Sequence, residues 1–402
     1  MTTPIVTSLA IVAAASAAVT ALSHACVHLR LRKRRLRMDR SCPGVSVLKP
    51  LKGIDEGLRE NLRSLAMQAY AGRFELILGA ANVDDPALDI ALEVRRAFPS
   101  VSIKLVAGRE GTGLNPKVRL LEVLSDVAMH DTILISDSNV PVAPNYLSTL
   151  VAEMDDPAVG LVSSMLAGDG ERTVAAGLEN LHLNSFVAGA VCGADVLAGH
   201  PCVVGKSMLM RRSDLAALGG WDLVRNVLGE DYVLGVAFRR AGHRVALSPH
   251  VVRTINGGWG LSRFVSRHLR WGQMRRWISP TAYCFEPLLN PVPPALAVIA
   301  VHGWRSSGSM ALVWWAVLSV LFKLGSDAVL SYRLRGRWPD PLDLMLVPLK
   351  DVVVSALWGL AWVRRDLHWR GNRVRIGPGS SLTRPHDELR PAVVRENPQE
   401  RS

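Results

Sequence analysis

The chain has two textures. Across residues 43–250, short apolar runs rich in β-branched residues are separated by segments with apolar residues at helical spacing. Val45–Leu48, Phe74–Gly79, Val101–Val106 and Ile133–Ile135 are continuous apolar or nearly apolar runs, the pattern of strands buried on both faces. Residues 56–67, 86–97 and 117–128 read as helices between them. There follow a helix over 144–154, a strand over Val159–Ser163, a mixed segment through residue 200 and a strand over 202–210. A short helix from Asp214 is stopped by Gly219-Gly220, and a helix runs from Glu230 to Arg240. Strand and helix in alternation predict an α/β fold, with a parallel sheet covered on both faces.

The flanks differ. Ile5 to Ala25 carries no charge and, at roughly 20 residues, is long enough to span a bilayer. The basic run from His28 to Arg37 follows this stretch; a cleaved signal peptide has its charges in front. The positive-inside rule then puts residues from about 30 onward in the cytoplasm. From Leu261 to Trp277 arginines alternate with tryptophans and aliphatics, the composition of a helix lying in a membrane interface. A nucleic-acid-binding helix shares that mixture. The clearest basic run abuts an apolar helix, however, so the bilayer is the expected partner and nucleic acid is not. Three more apolar stretches cover 288–301, 310–330 and 342–363. Prolines interrupt the first, Lys350-Asp351 the last, and Arg364-Arg365 would fall outside if all three crossed. One of them is therefore expected to be re-entrant or interfacial. The predicted organisation is a transmembrane helix (1–28), a basic linker (29–42), a catalytic domain (43–258), an interfacial helix (259–285), membrane helices (286–364) and a basic polar tail (365–402), disordered from about Ser380.

Composition fits this plan. Of 402 residues 49% are hydrophobic, the mean hydropathy is +0.19 and the formal net charge is +12. Five cysteines without CxxC spacing imply reduced thiols in a cytosolic domain.

Candidate chemistry centres on the end of the Ile133 strand, where Ser136-Asp137-Ser138-Asn139 follows. Open α/β sheets bind ligands at the carboxyl ends of strands. Asp137 and Asn139 can turn two oxygens toward one hard cation, Mg²⁺ or Mn²⁺, carrying a diphosphate. The same tripeptide also makes ordinary turns. The glycine-rich loop 108–115 is neither a Walker A nor a dinucleotide fingerprint. Lys117, at the start of the next helix, can still face a phosphate. Glu230-Asp231 opens a helix, where carboxylates suit the dipole whatever else they do.

The ordered set Lys49-Pro50-Leu51-Lys52-Gly53, Asp84-Asp85-Pro86, Gly113-Leu114-Asn115-Pro116-Lys117, Asp137-Ser138-Asn139, Cys202-Val203-Val204-Gly205-Lys206-Ser207, Glu230-Asp231-Tyr232 and Arg267-His268-Leu269-Arg270-Trp271 resembles the ceramide glucosyltransferases of glycosyltransferase family 21 and their bacterial hopanoid-glycosylating relatives. The resemblance implies a GT-A fold, Rossmann-like and nucleotide-sugar-binding, with flanking transmembrane helices. It implies an inverting transfer of a hexose from a UDP-sugar to the hydroxyl of a membrane lipid. UDP-glucose and ceramide are the first expectation; UDP-N-acetylglucosamine and a hopanoid polyol are the alternative. A polysaccharide synthase and a non-catalytic binding protein remain as other classes. By the same resemblance Asp231 is the general base, and Asp137 and Asn139 hold the divalent cation. Lys49, Asn82, Asp84, Lys117, Arg270 and Trp271 join Asp137 around the donor, and Cys202 and Arg267 lie on the acceptor side. Asn82 stands where the family has an aspartate, and Asp84 lies just beyond. A second copy of the final box, Gln273-Met274-Arg275-Arg276-Trp277, fits less well by its distance from Asp231.

Overall fold

The structure is a computed structural model that describes residues 2–32, 42–199, 203–305, 309–369 and 372–384. The expected basic linker over 33–41, Cys202 and the tail beyond 384 lie outside the described residues.

The α/β domain opens with β1 (Val45–Leu51), α2 (Leu58–Ala66), β2 (Phe74–Ala80), α3 (Ala87–Ala97), β3 (Ser102–Ala107), α4 (Pro116–Asp126) and β4 (Thr132–Ser136), preceded by the N-terminal α1 (Thr2–Arg30). β1, β2 and β4 are apolar on both faces because helices cover both, and nearly every residue in them is buried. The chain continues through α5 (Tyr146–Glu153), β5 (Val159–Asp169), α6 (Val174–His182), a π-helical turn at Leu183–Val187, α7 (Ala188–Ala198), β6 (Ser207–Arg211), α8 (Arg212–Ala217), α9 (Glu230–Arg240) and β7 (Arg244–Ile255).

The seven strands lie in the order β3-β2-β1-β4-β6-β5-β7. After β1 the chain builds outward to β3, then returns to place β4 on the other side of β1. This switch point opens a crevice between the carboxyl ends of β1 and β4. The sheet is not wholly parallel, contrary to the pattern-based expectation: β6 runs antiparallel to both β4 and β5. That reversal brings the start of β6 to the carboxyl end of β4, Ser207 pairing with Ser136. The strand begins only at Ser207, with a turn at Gly205-Lys206 before it. β7 went unpredicted because Pro249-His250 breaks its pattern. The strand absorbs both residues in a register shift between Ser248 and Val251, which an edge position tolerates.

Beyond the sheet come α10 (Leu261–Ile278), α11 (Pro280–Phe285), α12 (Val292–Arg305), α13 (Met310–Arg335), α14 (Pro341–Leu344) and α15 (Val347–Val363). Among the described residues three helical stretches are long and apolar enough to cross a membrane: Pro4–Arg30, Val174–Ala198 and Met310–Arg335. The second, α6 through α7, is the segment that read as mixed. Pro280–Leu289 and Val292–Gly303 form a broken pair, bent by 56° where the prolines fall. α1 packs on α7, α12 and α13, and alanines at Ala13, Ala295 and Ala316 let the helices approach closely.

The segment expected to be a polar tail from 365 holds a small sheet as far as residue 383, just past the expected onset of disorder near Ser380. β8 (Asp366–Trp369), β9 (Asn372–Ile376) and β10 (Leu382–Thr383) form a small antiparallel sheet. Leu367, Val374, Ile376 and Leu382 bury a cluster with Leu228, and that apolar content orders the segment. Ser380 O accepts from Leu228 N at 2.9 Å, and Ser380 Oγ accepts from Gly229 N at 3.2 Å.

Candidate active site

Asp137 follows β4 directly, at the mouth of the switch-point crevice. Lys117 reaches it from α4. Asn115 caps that helix, its Oδ1 accepting from the amides of Lys117 at 3.0 Å and Val118 at 3.2 Å, and Pro116 fixes the first turn. The preceding Gly113 has φ +108° and lies so close to the Arg225 carbonyl that no side chain fits there. The motif thus anchors a helix start from which Lys117 Nζ meets Asp137 Oδ1 at 3.1 Å, Glu230 Oε1 at 3.0 Å and the Gly205 carbonyl at 2.8 Å. Lys206, delivered by the antiparallel start of β6, places its Nζ 3.0 Å from Asp137 Oδ2 and 2.7 Å from Asn139 Oδ1. Asn139 Nδ2 donates to Thr254 Oγ1 at 2.9 Å, which fixes the outward direction of its oxygen.

Asp231 comes from the first turn of α9. Its Oδ2 accepts from Gly205 N and its Oδ1 from its neighbour's amide, Tyr232 N, both at 2.8 Å. A Cβ on Gly205 would stand 2.8 Å from that Oδ2, so the residue must be glycine for the carboxylate to sit here.

The electrostatics separate the two aspartates. Burial works against the Asp137 carboxylate, yet Lys117 and Lys206 hold its pKa far below the ordinary value. Burial also opposes the Lys117 ammonium, but Asp137, Glu230 and Asp231 hold it above the usual lysine range. Asp231 is pushed the other way: burial and then the Glu230 carboxylate raise it to about 6. Paired carboxylates whose environments drive them apart are the pattern of one permanent charge and one proton acceptor. Lys49, wholly buried beneath the crevice with Nζ 3.3 Å from Ser136 Oγ, is lowered by burial to about 7.

Asp137 Oδ2 and Asn139 Oδ1 converge on a single positive centre, the Lys206 ammonium. A cation is accommodated at that point by both oxygens, so the pair fits a metal that displaces the lysine. Among the described residues no three His, Cys, Asp or Glu side chains gather around a metal position. Two protein oxygens with the rest supplied by phosphate and water suit Mg²⁺.

The other expected residues sit on the loop after β2 and on α10. Asn82 and Asp84 are exposed on the loop after β2, the Asn82 side chain accepting from Asp84 N at 3.3 Å. Asp85 ties that loop to the one after β1 by accepting from Gly53 N at 3.0 Å. Arg267, Arg270 and Trp271 lie on α10. Arg267 stacks on Trp271 at 4.2 Å and pairs at 3.1 Å with Glu179, a fully buried carboxylate that also meets His268 Nε2 at 2.9 Å. Trp271 packs against the same core cluster as Val204, which precedes the turn into β6. The arginines of α10 are largely engaged inward: Arg275 pairs with Glu286 and Arg276 donates to the carbonyls at the end of α15.

Lys206 and Glu179 have no role in the sequence reading. Lys206 lies inside a quoted motif, but only the antiparallel strand order brings it to Asp137. A lone glutamate in an otherwise apolar segment was the available signal for Glu179.

This strand order, with an acidic loop at its switch point, defines a GT-A glycosyltransferase fold. A mannosyltransferase from Pyrobaculum calidifontis, solved with GDP-Man and Mn²⁺, superposes with a TM-score of 0.52 at 17% identity, covering 89% of this chain and 99% of that one. The sequence model for Glycosyl transferase family 21 matches residues 8–382, and the chain belongs to that family. Ceramide glucosyltransferase 3 of Caenorhabditis elegans is 26% identical over 359 residues, 87% of this chain and 76% of the relative. Ceramide glucosyltransferase 1 of the same organism is 27% identical over 352 residues, 87% and 75%. The chain is thus a glycosyltransferase.

Proposed function

We propose that this glycosyltransferase is a membrane enzyme that moves a hexose from a UDP-sugar to the hydroxyl of a lipid, with inversion, UDP-glucose and ceramide being the first pair to test. The observation that carries the reading is the split between Asp137 and Asp231: one carboxylate held ionised by two lysines, the other raised to about 6 beside them. A general base works best with a pKa near the operating pH.

In this reading Asp231 takes the acceptor's proton as its oxygen attacks the anomeric carbon. The bond from that carbon to the diphosphate breaks, and the electron pair leaves on the phosphate oxygen. A single displacement gives a β-glycoside from an α-linked donor. A divalent cation between Asp137 and Asn139 supplies charge neutralisation of the diphosphate when bound. Lys117 holds Asp137 and Glu230 in place, and Lys206, released from the carboxylate, is positioned to meet the departing phosphate. Arg270 and Trp271 lie toward the diphosphate and the acceptor opening, and Arg267 lies on the acceptor side. Asn82 and Asp84 are at the edge where the nucleoside base arrives. The apolar helices embed the enzyme as a multi-pass protein, with residues 43–280 in the cytoplasm, and the bent pair at 280–303 is the re-entrant element.

The test is product analysis by mass spectrometry, after expression in a host lacking glycolipids and supplied with ceramide, hopanoid polyol or diacylglycerol. A new hexosyl-ceramide is expected. A glycosylated hopanoid would transfer the reading to that acceptor, and a polysaccharide product without glycolipid would overturn it.

A further inference from the structure

Lys117 and Lys206 both hold Asp137, but on different terms. Lys117 Nζ has three acceptors: Asp137 Oδ1 at 3.1 Å, Glu230 Oε1 at 3.0 Å and the Gly205 carbonyl at 2.8 Å. Were Asp137 to turn to another cation, the other two would still hold it. Lys206 Nζ has, among the described residues, Asp137 Oδ2 at 3.0 Å and Asn139 Oδ1 at 2.7 Å as its acceptors. Those are the two oxygens expected to take a divalent cation. The ammonium occupies lone pairs that such an ion needs, and two cations against one pair of oxygens repel each other. Of the two lysines, Lys206 is therefore the one that yields.

Its backbone stays while its head moves. The Lys206 carbonyl accepts from Asp137 N at 3.4 Å, and Ser207 N donates to the Val204 carbonyl at 3.1 Å across the turn. Gly205 is held on both sides, its amide by Asp231 and its carbonyl by Lys117. Ser207 Oγ lies 2.7 Å from Tyr146 Oη and 3.0 Å from Ser164 Oγ. What this pinned turn leaves free is a flexible alkyl stem tipped with a point charge.

Eviction by an ion alone is costly. The Lys206 side chain is 13% exposed, and the positive charges of Arg267 and Lys117 both act against it. A largely buried charge stripped of its partners destabilises the protein. A diphosphate arriving with the ion changes this, because its anionic oxygens take over the displaced ammonium in charge-assisted hydrogen bonds.

We propose that Lys206 is a tethered stand-in for the divalent cation: it occupies the oxygens of Asp137 and Asn139 until the donor comes, admits the ion only together with the diphosphate, and closes again as both leave. The proposal rests on the cation and UDP-sugar of the reading above. It makes ion and nucleotide binding cooperative, and such coupling is reciprocal.

The probe is Mn²⁺, titrated with and without UDP into chelator-washed full-length protein in phosphatidylcholine nanodiscs. Bound ion is read as loss of the free-ion electron paramagnetic resonance signal. Lys206→Met should bind Mn²⁺ alone about ten-fold tighter than the parent, and its gain from UDP should be about ten-fold smaller than the parent's, a coupling of ordinary size. Asp137→Asn should lose the ion, which assigns the site. Acetylation of Lys206 by acetic anhydride, mapped by mass spectrometry in the parent, gives a second reading: Mn²⁺ alone should raise it several-fold, and UDP added with Mn²⁺ should bring it down again. Where Lys206→Met does not fold, the acetylation decides. Equal affinity of parent and Lys206→Met for Mn²⁺ alone, an equal gain from UDP in both, Mn²⁺ binding that survives Asp137→Asn, or Lys206 acetylation indifferent to Mn²⁺ overturns the proposal. Competition as expected, with no sugar transfer to any lipid, would remove the proposed function and leave the role of Lys206. Chelator-sensitive transfer without competition would do the reverse.

Discussion

Asp231→Asn separates catalysis from folding because the structure predicts opposite signs for the two. A carboxyl held at about 6, where its ordinary value is 3.8, costs roughly 3 kcal/mol of stability once ionised. The sign follows from linkage. The folded pKa lies above the unfolded one, so stability falls as pH rises from about 4 to 6 and stays reduced above that. Asparagine removes this penalty. It also has one oxygen where the carboxylate has two, each accepting a backbone amide at 2.8 Å, so one hydrogen bond worth about 1 kcal/mol is lost. The variant should be about 2 kcal/mol more stable than the parent at pH 7 and no more stable below about pH 4. Its kcat should nevertheless fall on the order of 10²- to 10⁴-fold, the usual effect of losing a general base. Donor binding should persist, because Asp137, Lys117 and Lys206 are untouched. Thermal unfolding in detergent, UDP-sugar binding and turnover, measured on one preparation, check all three. Retained turnover per folded molecule would remove Asp231 as the base and pass the role to Glu230. A loss of stability together with donor binding would refute the electrostatic account of the site.

Four further outcomes are expected. In the parent enzyme kcat/KM should fall about ten-fold per pH unit below about 6, as Asp231 protonates, which a pH–rate profile reads directly. Gly205→Ala should press on the Asp231 carboxylate and lower kcat at least ten-fold with donor KM nearly unchanged. Chelator should abolish transfer and Mg²⁺ or Mn²⁺ restore it; full activity in chelator would remove the cation from Asp137 and Asn139. Lys117→Met strands Asp137 and Glu230 beside each other and should destabilise the protein by about 3–5 kcal/mol, seen as a lowered unfolding temperature.

The residues that were legible in the sequence are those whose local pattern and tertiary role coincide. Ile133–Ile135 had to be a buried strand because it is apolar on both faces, and Asp137 had to be at its carboxyl end. Asn115-Pro116 announces a helix start, so Lys117 had to project from one. Lys206 follows a different logic: nothing local states that β6 is antiparallel, and on a parallel strand the same lysine would lie at the far edge of the sheet. β7 was hidden by Pro249-His250, whose accommodation depends on a strand far earlier in the chain, Ser164 being paired with Ser248. The ordered sheet after Arg365 was hidden by charge: Arg373 and Arg375 flank the buried Val374, and both pair with Asp366.

That last sheet bears on biosynthesis. The loop leading into α9 is held by Ser380 and Leu382, more than 150 residues downstream of Asn226 and Leu228. A chain emerging from the ribosome presents Asp137, Lys117 and Asp231 long before it presents the residues that clamp the last of them in place. Translation must pass through α12, α13 and α15 before the clamp can close. The finished site is thus acquired only after nearly all of the described chain has been made. A chain released before Ser380 would carry Asp137 and Asp231 without the brace on the loop that leads into α9.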